Sequence, residues 1–132
     1  MDNYILDTFA LMAYFQGESA GTAVKTLVAR ALDDEAILGA SLVNAGELYY
    51  MTWRKRGASR ADEVWADLQR LPITWYSANR ARILAAARIK AMHHVSYADA
   101  FAIALAQELG STVVTGDPEF KDVETIVPVM WL

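Results

Sequence analysis

Four carboxylates stand in stretches that hold almost no other charge. Asp7 is the only charged residue in "YILDTFALMAYF", residues 4–15, and Glu47 the only one in "SLVNAGELYYMTW", residues 41–53. Asp99 is alone in "SYADAFAIALAQ", and Asp117 closes the apolar run "TVVTGD". Burying a carboxylate is costly unless the group finds a partner. Three or four acids brought together repel one another unless a cation lies between them. Oxygen donors of this kind select Mg²⁺ or Mn²⁺ over zinc or copper. Such a cation orients a water and stabilises charge on a phosphoryl oxygen.

Each acid also has a local explanation. Asp7 suits an N-cap for the helix that follows it. Ser96 and Asp99 match a Ser-x-x-Asp helix start, where an acid also suits the helix dipole. Asp117-Pro118 is ordinary turn chemistry. Glu47 is the exception, because it falls in mid-helix where no cap is needed. Its face carries Val43, Tyr50 and Met51, and Arg54 two turns on is its one local cationic candidate. Asp99 shares its face with Ala102 and Ile103.

The elements that must position these acids alternate between strand and helix. "NYIL" reads as a strand running into a helix from Thr8 to Gln16, and "TAVKTLVARALDDE" as a second helix with Val24, Leu27, Val28 and Leu32 on one side. "AILGA" is a short buried strand. Ser41 N-caps a helix ending at Arg56 before Gly57. Ser59–Asp62 reads as a capping box for a helix that stops near Leu71-Pro72. "ITWY" is strand-like, "ANRARILAAARIKAM" is helical by composition, and Ser96 opens a helix that Gly110 closes. "STVVTG" and "TIVPV" read as the last strands. This order predicts an α/β sandwich around a mostly parallel sheet. Sites in such sheets form beyond the carboxyl ends of the strands, where Asp7 and Asp117 fall.

Composition fits one compact domain over residues 1–132: 55% of residues are hydrophobic and 21% charged. With no cysteine there is neither a disulfide framework nor a thiolate zinc site. No secretory leader and no apolar run of roughly 20 residues is present, so the expectation is a cytoplasmic protein without a membrane segment. The net charge of −4 speaks against a generally basic nucleic-acid binder. Its distribution is uneven, however. Residues 54–94 hold nine Lys/Arg against three Asp/Glu, while the rest holds three against thirteen. Basic residues of that middle segment, such as Arg54, Arg80, Arg82 and Arg88, are candidate contacts to a nucleic-acid backbone, or simply solvated helix faces. His93 and His94 read first as loop residues and second as contacts of the same kind. Tyr14, Phe15, Trp53 and Trp65 are an aromatic surplus, either core or lining for a partner helix.

Together "YILDTFALMAYF", "SLVNAGELYY", "SYADAFAIALAQELG" and "TVVTGDPEF" resemble the four signature segments of the PIN domain in their usual order, from Asn3 to Phe120. With its size, the chain resembles a VapC-type toxin of a VapBC toxin–antitoxin pair. The resemblance implies a PIN-like α/β/α sandwich and a Mg²⁺- or Mn²⁺-dependent endoribonuclease acting on RNA. It also implies inhibition by a cognate VapB-like antitoxin, and a homodimer. Asp7, Glu47, Asp99 and Asp117 match the acidic metal and catalytic positions, and Thr8 and Thr115 the hydroxyls that support them. Whether Asp117 or Glu119 completes the acidic set stays open, as do the RNA target and the number of metal ions.

Two other readings are weaker. A haloacid-dehalogenase-like phosphatase would carry a second Asp two residues after the first, where this chain has Phe9. A Ser-His-Asp hydrolase would show a Gly-x-Ser-x-Gly elbow, which is missing. A catalytically silent PIN-like binding module is the non-enzymatic alternative, and metal-dependent turnover separates it from a nuclease.

Overall fold

The computed structural model describes residues 1–132. Five strands form one sheet: β1 (Asp2–Leu6), β2 (Ala36–Ser41), β3 (Ile73–Tyr76), β4 (Thr112–Thr115) and β5 (Val129–Trp131), in the spatial order β3-β2-β1-β4-β5. Every neighbouring pair is parallel, so the sheet is fully rather than mostly parallel. The helices are α1 (Thr8–Tyr14), α2 (Ser19–Leu32), α3 (Leu42–Arg56), α4 (Ala58–Arg70), α5 (Arg80–Met92) and α6 (Tyr97–Leu109). A 3-10 turn at Pro118–Val123 follows β4.

Strand alternation divides the core into two layers. Ile5 and Val113 point into the layer under α5 and α6, with Phe101, Ile103 and Phe120. Leu6, Leu38, Ala40 and Val114 point to the opposite layer, under α1 to α4, with Leu11, Val24, Leu48 and Leu68. The result is the α/β/α sandwich expected from the element order. Apolar strands covered on both faces are what an all-parallel sheet requires. No helix is long and apolar enough to cross a membrane.

Several boundaries differ from the sequence expectation. Ser59 makes no cap: α4 starts at Ala58, directly after Gly57, which has φ +89°. That glycine turns the chain so sharply that α3 and α4 abut, and the Ala61 amide bonds the Gly57 carbonyl (3.2 Å) instead of a capping side chain. Helix α2 begins three residues early, at Ser19. "TIVPV" is not a strand. Residues 124–127 close the turn through the Val127 amide to the Val123 carbonyl (3.1 Å), and β5 begins only after Pro128, which has no amide to donate.

Candidate metal centre

The parallel register decides where the acids arrive. Leu6 lies beside Val114, so the next residues, Asp7 just past β1 and Thr115 at the end of β4, come side by side at the carboxyl edge of the sheet. Asp7 is fully buried and does cap α1: the Ala10 amide donates to its Oδ1 (2.8 Å). Its second oxygen, Oδ2, is buried without a hydrogen-bond partner. Burial therefore pushes the Asp7 carboxyl up to about 7, and the charges of Asp99 and Asp117 push the same way. The Thr115 hydroxyl and the Ala10 amide oppose that rise.

Asp99 occupies the first turn of α6, which Ser96 caps by accepting from the Asp99 backbone amide (3.1 Å). The cap thus uses the backbone amide of Asp99 and not its buried carboxylate. Desolvation, opposed by the Ser96 hydroxyl and helped by the charges of Asp117, Glu47 and Glu119, pushes that carboxyl up to about 6. Asp117 caps the 3-10 turn by accepting from the Glu119 amide (2.9 Å), while its own amide donates to the Thr115 hydroxyl (3.0 Å). The Phe9 ring lies directly on Gly116, where a Cβ would overlap it, which accounts for the glycine between Thr115 and Asp117.

One carboxylate oxygen from each of Asp99, Asp117 and Glu119 can lie within 4.8 Å of the other two. Asp7 is close enough to Asp99 and Asp117, and Glu47 to Asp99, for their charges to act on one another. The turn after β4 thus brings both Asp117 and Glu119 to Asp99. Glu47 stands at the edge of the group, accepting from the Tyr50 hydroxyl (3.4 Å). Its local alternative fails: Arg54 makes no ion pair with it and stacks over the Tyr50 ring at 5.1 Å. All four ion pairs of the molecule lie elsewhere, so no basic side chain neutralises the acids. An all-oxygen donor set with raised pKa values and an orphaned buried oxygen fits a hard divalent cation.

Sequence reasoning missed the residue that ties these elements together. Asn44 is fully buried, and its amide donates to the Thr8 hydroxyl (3.0 Å) and to the Ala98 carbonyl (3.1 Å). Thr8 follows Asp7, Ala98 precedes Asp99, and Asn44 itself lies one turn before Glu47. A single side chain therefore clamps three acid-bearing helices. The available signal was a lone amide in "SLVNAGEL", three residues before the acid. Asn44→Leu is expected to lower stability by about 1–3 kcal/mol, because the hydroxyl and the carbonyl lose a buried donor. Urea unfolding measures that loss. Calorimetric Mn²⁺ titration should show roughly 10- to 100-fold weaker binding, as for other changes behind a metal site.

The four arginines separate. Arg82 is held by Glu108 (3.1 and 3.2 Å) and by the Ser77 carbonyl (3.1 Å), which occupy its guanidinium. Arg54 lies on the site side through Tyr50, whereas Arg80 and Arg88 are exposed on α5. Of the aromatic surplus, Phe15 lines a groove of about 290 Å³ between α1, α3 and α4, together with Met12, Leu48, Met51 and Val64. Arg54, Lys55, Arg56 and Arg60 rim that groove. Trp53 and Trp65 do not line it; they stack edge-on against Tyr49 (5.9 Å each).

The PIN domain family model matches residues 4–126. No curated protein sequence matches the chain. Among solved structures, the chain is similar to Mycobacterium tuberculosis VapC20, a Sarcin-Ricin loop cleaving toxin, with 18% identity, a TM-score of 0.74, and coverage of 91% of this chain and 94% of that one. It is also similar to a chain of DNA-bound VapBC from Salmonella typhimurium, with 18% identity, a TM-score of 0.70 and 98% of each chain covered. A chain of promoter-DNA-bound VapBC2 from Rickettsia felis aligns at 12% identity and a TM-score of 0.73, covering 97% of each. At these identities the likeness concerns the fold.

Proposed function

The chain belongs to the PIN domain family, and from that premise we infer that it is a metal-dependent endoribonuclease, the toxin of a VapBC-type pair. The observation that carries this reading is the convergence of Asp99, Asp117 and Glu119 within 4.8 Å, with no basic residue to neutralise them, at the carboxyl edge of a parallel sheet. Asp7 and Glu47 complete the set. Asp7, Asp99, Asp117 and Glu119 would hold Mg²⁺ or Mn²⁺, with Glu47 at the outer edge. A divalent cation there supplies the charge that activates a water for in-line attack and stabilises the phosphoryl and leaving oxygens.

The protein's own residues do the positioning. Thr115 fixes the backbone of Asp117, Asn44 fixes Thr8 and Ala98, and Ser96 fixes the start of α6. The burial that raises the Asp7 and Asp99 carboxyl pKa values leaves their ionised forms in need of a countercharge that a bound cation would supply. No side-chain nucleophile is required. The apolar groove with its basic rim suits an amphipathic segment of a VapB-like antitoxin that carries acidic flanks. Ile83 and Leu84, exposed on α5, suit a homodimer contact.

Incubation of antitoxin-free protein with an RNA panel in Mg²⁺, Mn²⁺ or EDTA tests the reading. The expected result is discrete fragments with either metal and intact RNA in EDTA. Cleavage that persists in EDTA would remove the metal from the mechanism. Intact RNA in every condition would leave a binding module, and phosphate release from small esters without RNA cleavage would point to a phosphatase.

A further inference from the structure

The two histidines of the α5–α6 turn lie outside the acidic group. Lys90, His93, His94 and Ser96 form one wall of an open cleft of about 440 Å³, and Glu119 forms the other. That volume lies within the roughly 300–1,000 Å³ range of small-ligand pockets. Glu119 is also one of the three converging carboxylates, so the cleft and the acidic group share that residue. Across this short distance the surface changes sign, from a cluster of acids to a wall of nitrogen donors.

The donors are available. Lys90 Nζ donates to the Val95 carbonyl (2.8 Å), which anchors the ammonium on the turn and leaves two of its three hydrogens unused. None of Lys90, His93 and His94 belongs to an ion pair. An imidazole offers at least one N–H in either charge state. A strand whose scissile phosphate sits at the acids must place its next phosphate beside them. Unshielded carboxylates repel that group, whereas this wall can receive it.

We propose that the cleft between the α5–α6 turn and Glu119 is the subsite for the RNA backbone phosphate adjacent to the scissile one, held by Lys90, His93 and His94. The assignment rests on the nuclease reading and gives that site a direction: the strand crosses from the acids toward the end of α5. It also makes Lys90, rather than Arg82, the phosphate-binding cation of this region.

The test is RNA binding by the full chain, with Ca²⁺ as the oxygen-coordinating cation and a fluorescein-labelled oligouridine as the probe. Two variants are compared with the wild type, Lys90→Met and His94→Ala. Loss of one phosphate contact should reduce the slope of log affinity against log salt by about 0.7 for Lys90→Met. His94→Ala should weaken binding about two- to tenfold. A neutral methylphosphonate placed next to the cleavage site should weaken wild-type binding but cost Lys90→Met nothing more. Should Lys90→Met lose its turn along with the Val95 bond, as shown by its melting temperature, the exposed His94→Ala decides alone. Wild-type affinity and salt slope in both variants would overturn the subsite. So would variants that lose antitoxin affinity while keeping RNA affinity. Absence of cleavage by the wild type would count against the nuclease itself, while oligouridine binding would still decide the cleft.

Discussion

Asp99→Asn is expected to abolish RNA cleavage while leaving the fold intact. Asparagine keeps the shape of the side chain, and the Ser96 cap survives because it uses the backbone amide of residue 99. What disappears is the negative charge at the centre of the acidic group, the one acid that Asp117, Glu47 and Glu119 all act upon. Changes that only support a metal ligand cost roughly 10- to 100-fold in affinity or activity, so loss of a ligand should exceed that. Cleavage at saturating RNA and Mn²⁺ titration read the two effects separately. A variant that cuts at the wild-type rate would take Asp99 out of the mechanism and return it to the role of a first-turn acid.

Asp7→Asn is expected to stabilise the metal-free protein and inactivate it at the same time. Burial pushes the Asp7 carboxyl up to about 7, from the ordinary value of 3.8 that it has when unfolded. The folded state therefore holds its proton more tightly than the unfolded state does. The stability that this proton contributes is fully present below about pH 4, and it is lost as the pH rises toward and through 7. At pH 8 the cost of the bare carboxylate is on the order of 4 kcal/mol. Asparagine removes it and retains an Oδ1 that can accept from the Ala10 amide. Urea unfolding in EDTA should show wild-type stability falling between pH 4 and 8 more steeply than that of the variant. Added Mn²⁺ should restore the wild type, since a ligand that binds only the folded state stabilises it, and should do little for the variant. Parallel pH profiles for the two proteins would mean that Asp7 is satisfied as a cap and carries no stored repulsion.

Stability and function thus pull on the same residues. Asp7 and Asp99 are buried acids that the apolar packing around them disfavours, and Asn44 leaves its own Oδ1 without a partner in the same region. Such unsatisfied groups are rare in native interiors and concentrate where a ligand is meant to complete the site. The fold bears them because two independent apolar layers, one on each face of the sheet, surround the edge at which they gather.

The amino-acid sequence alone determined the alternation of strand and helix, the parallel sheet and the family. It also marked Asp7, Glu47, Asp99 and Asp117 as acids in stretches that hold almost no other charge. These are short-range properties: apolar period, capping residues and lone charges are set within a turn or two of chain. Boundaries that depended on local competition were less legible, as at Ser59, where the positive φ of Gly57 pre-empted the cap, and at Pro128, where the missing amide delayed β5. The tertiary structure decided what converges. Only the 3-10 turn after β4 brings Glu119 to Asp99 alongside Asp117, only the packing of α1, α3 and α6 gives Asn44 two partners, and only the pairing of α5 with α6 occupies Arg82 with Glu108. The physical reason is that a side chain's neighbours across elements follow from helix rotation and strand register, set by the summed burial of two whole layers and not by the residues beside it in the chain.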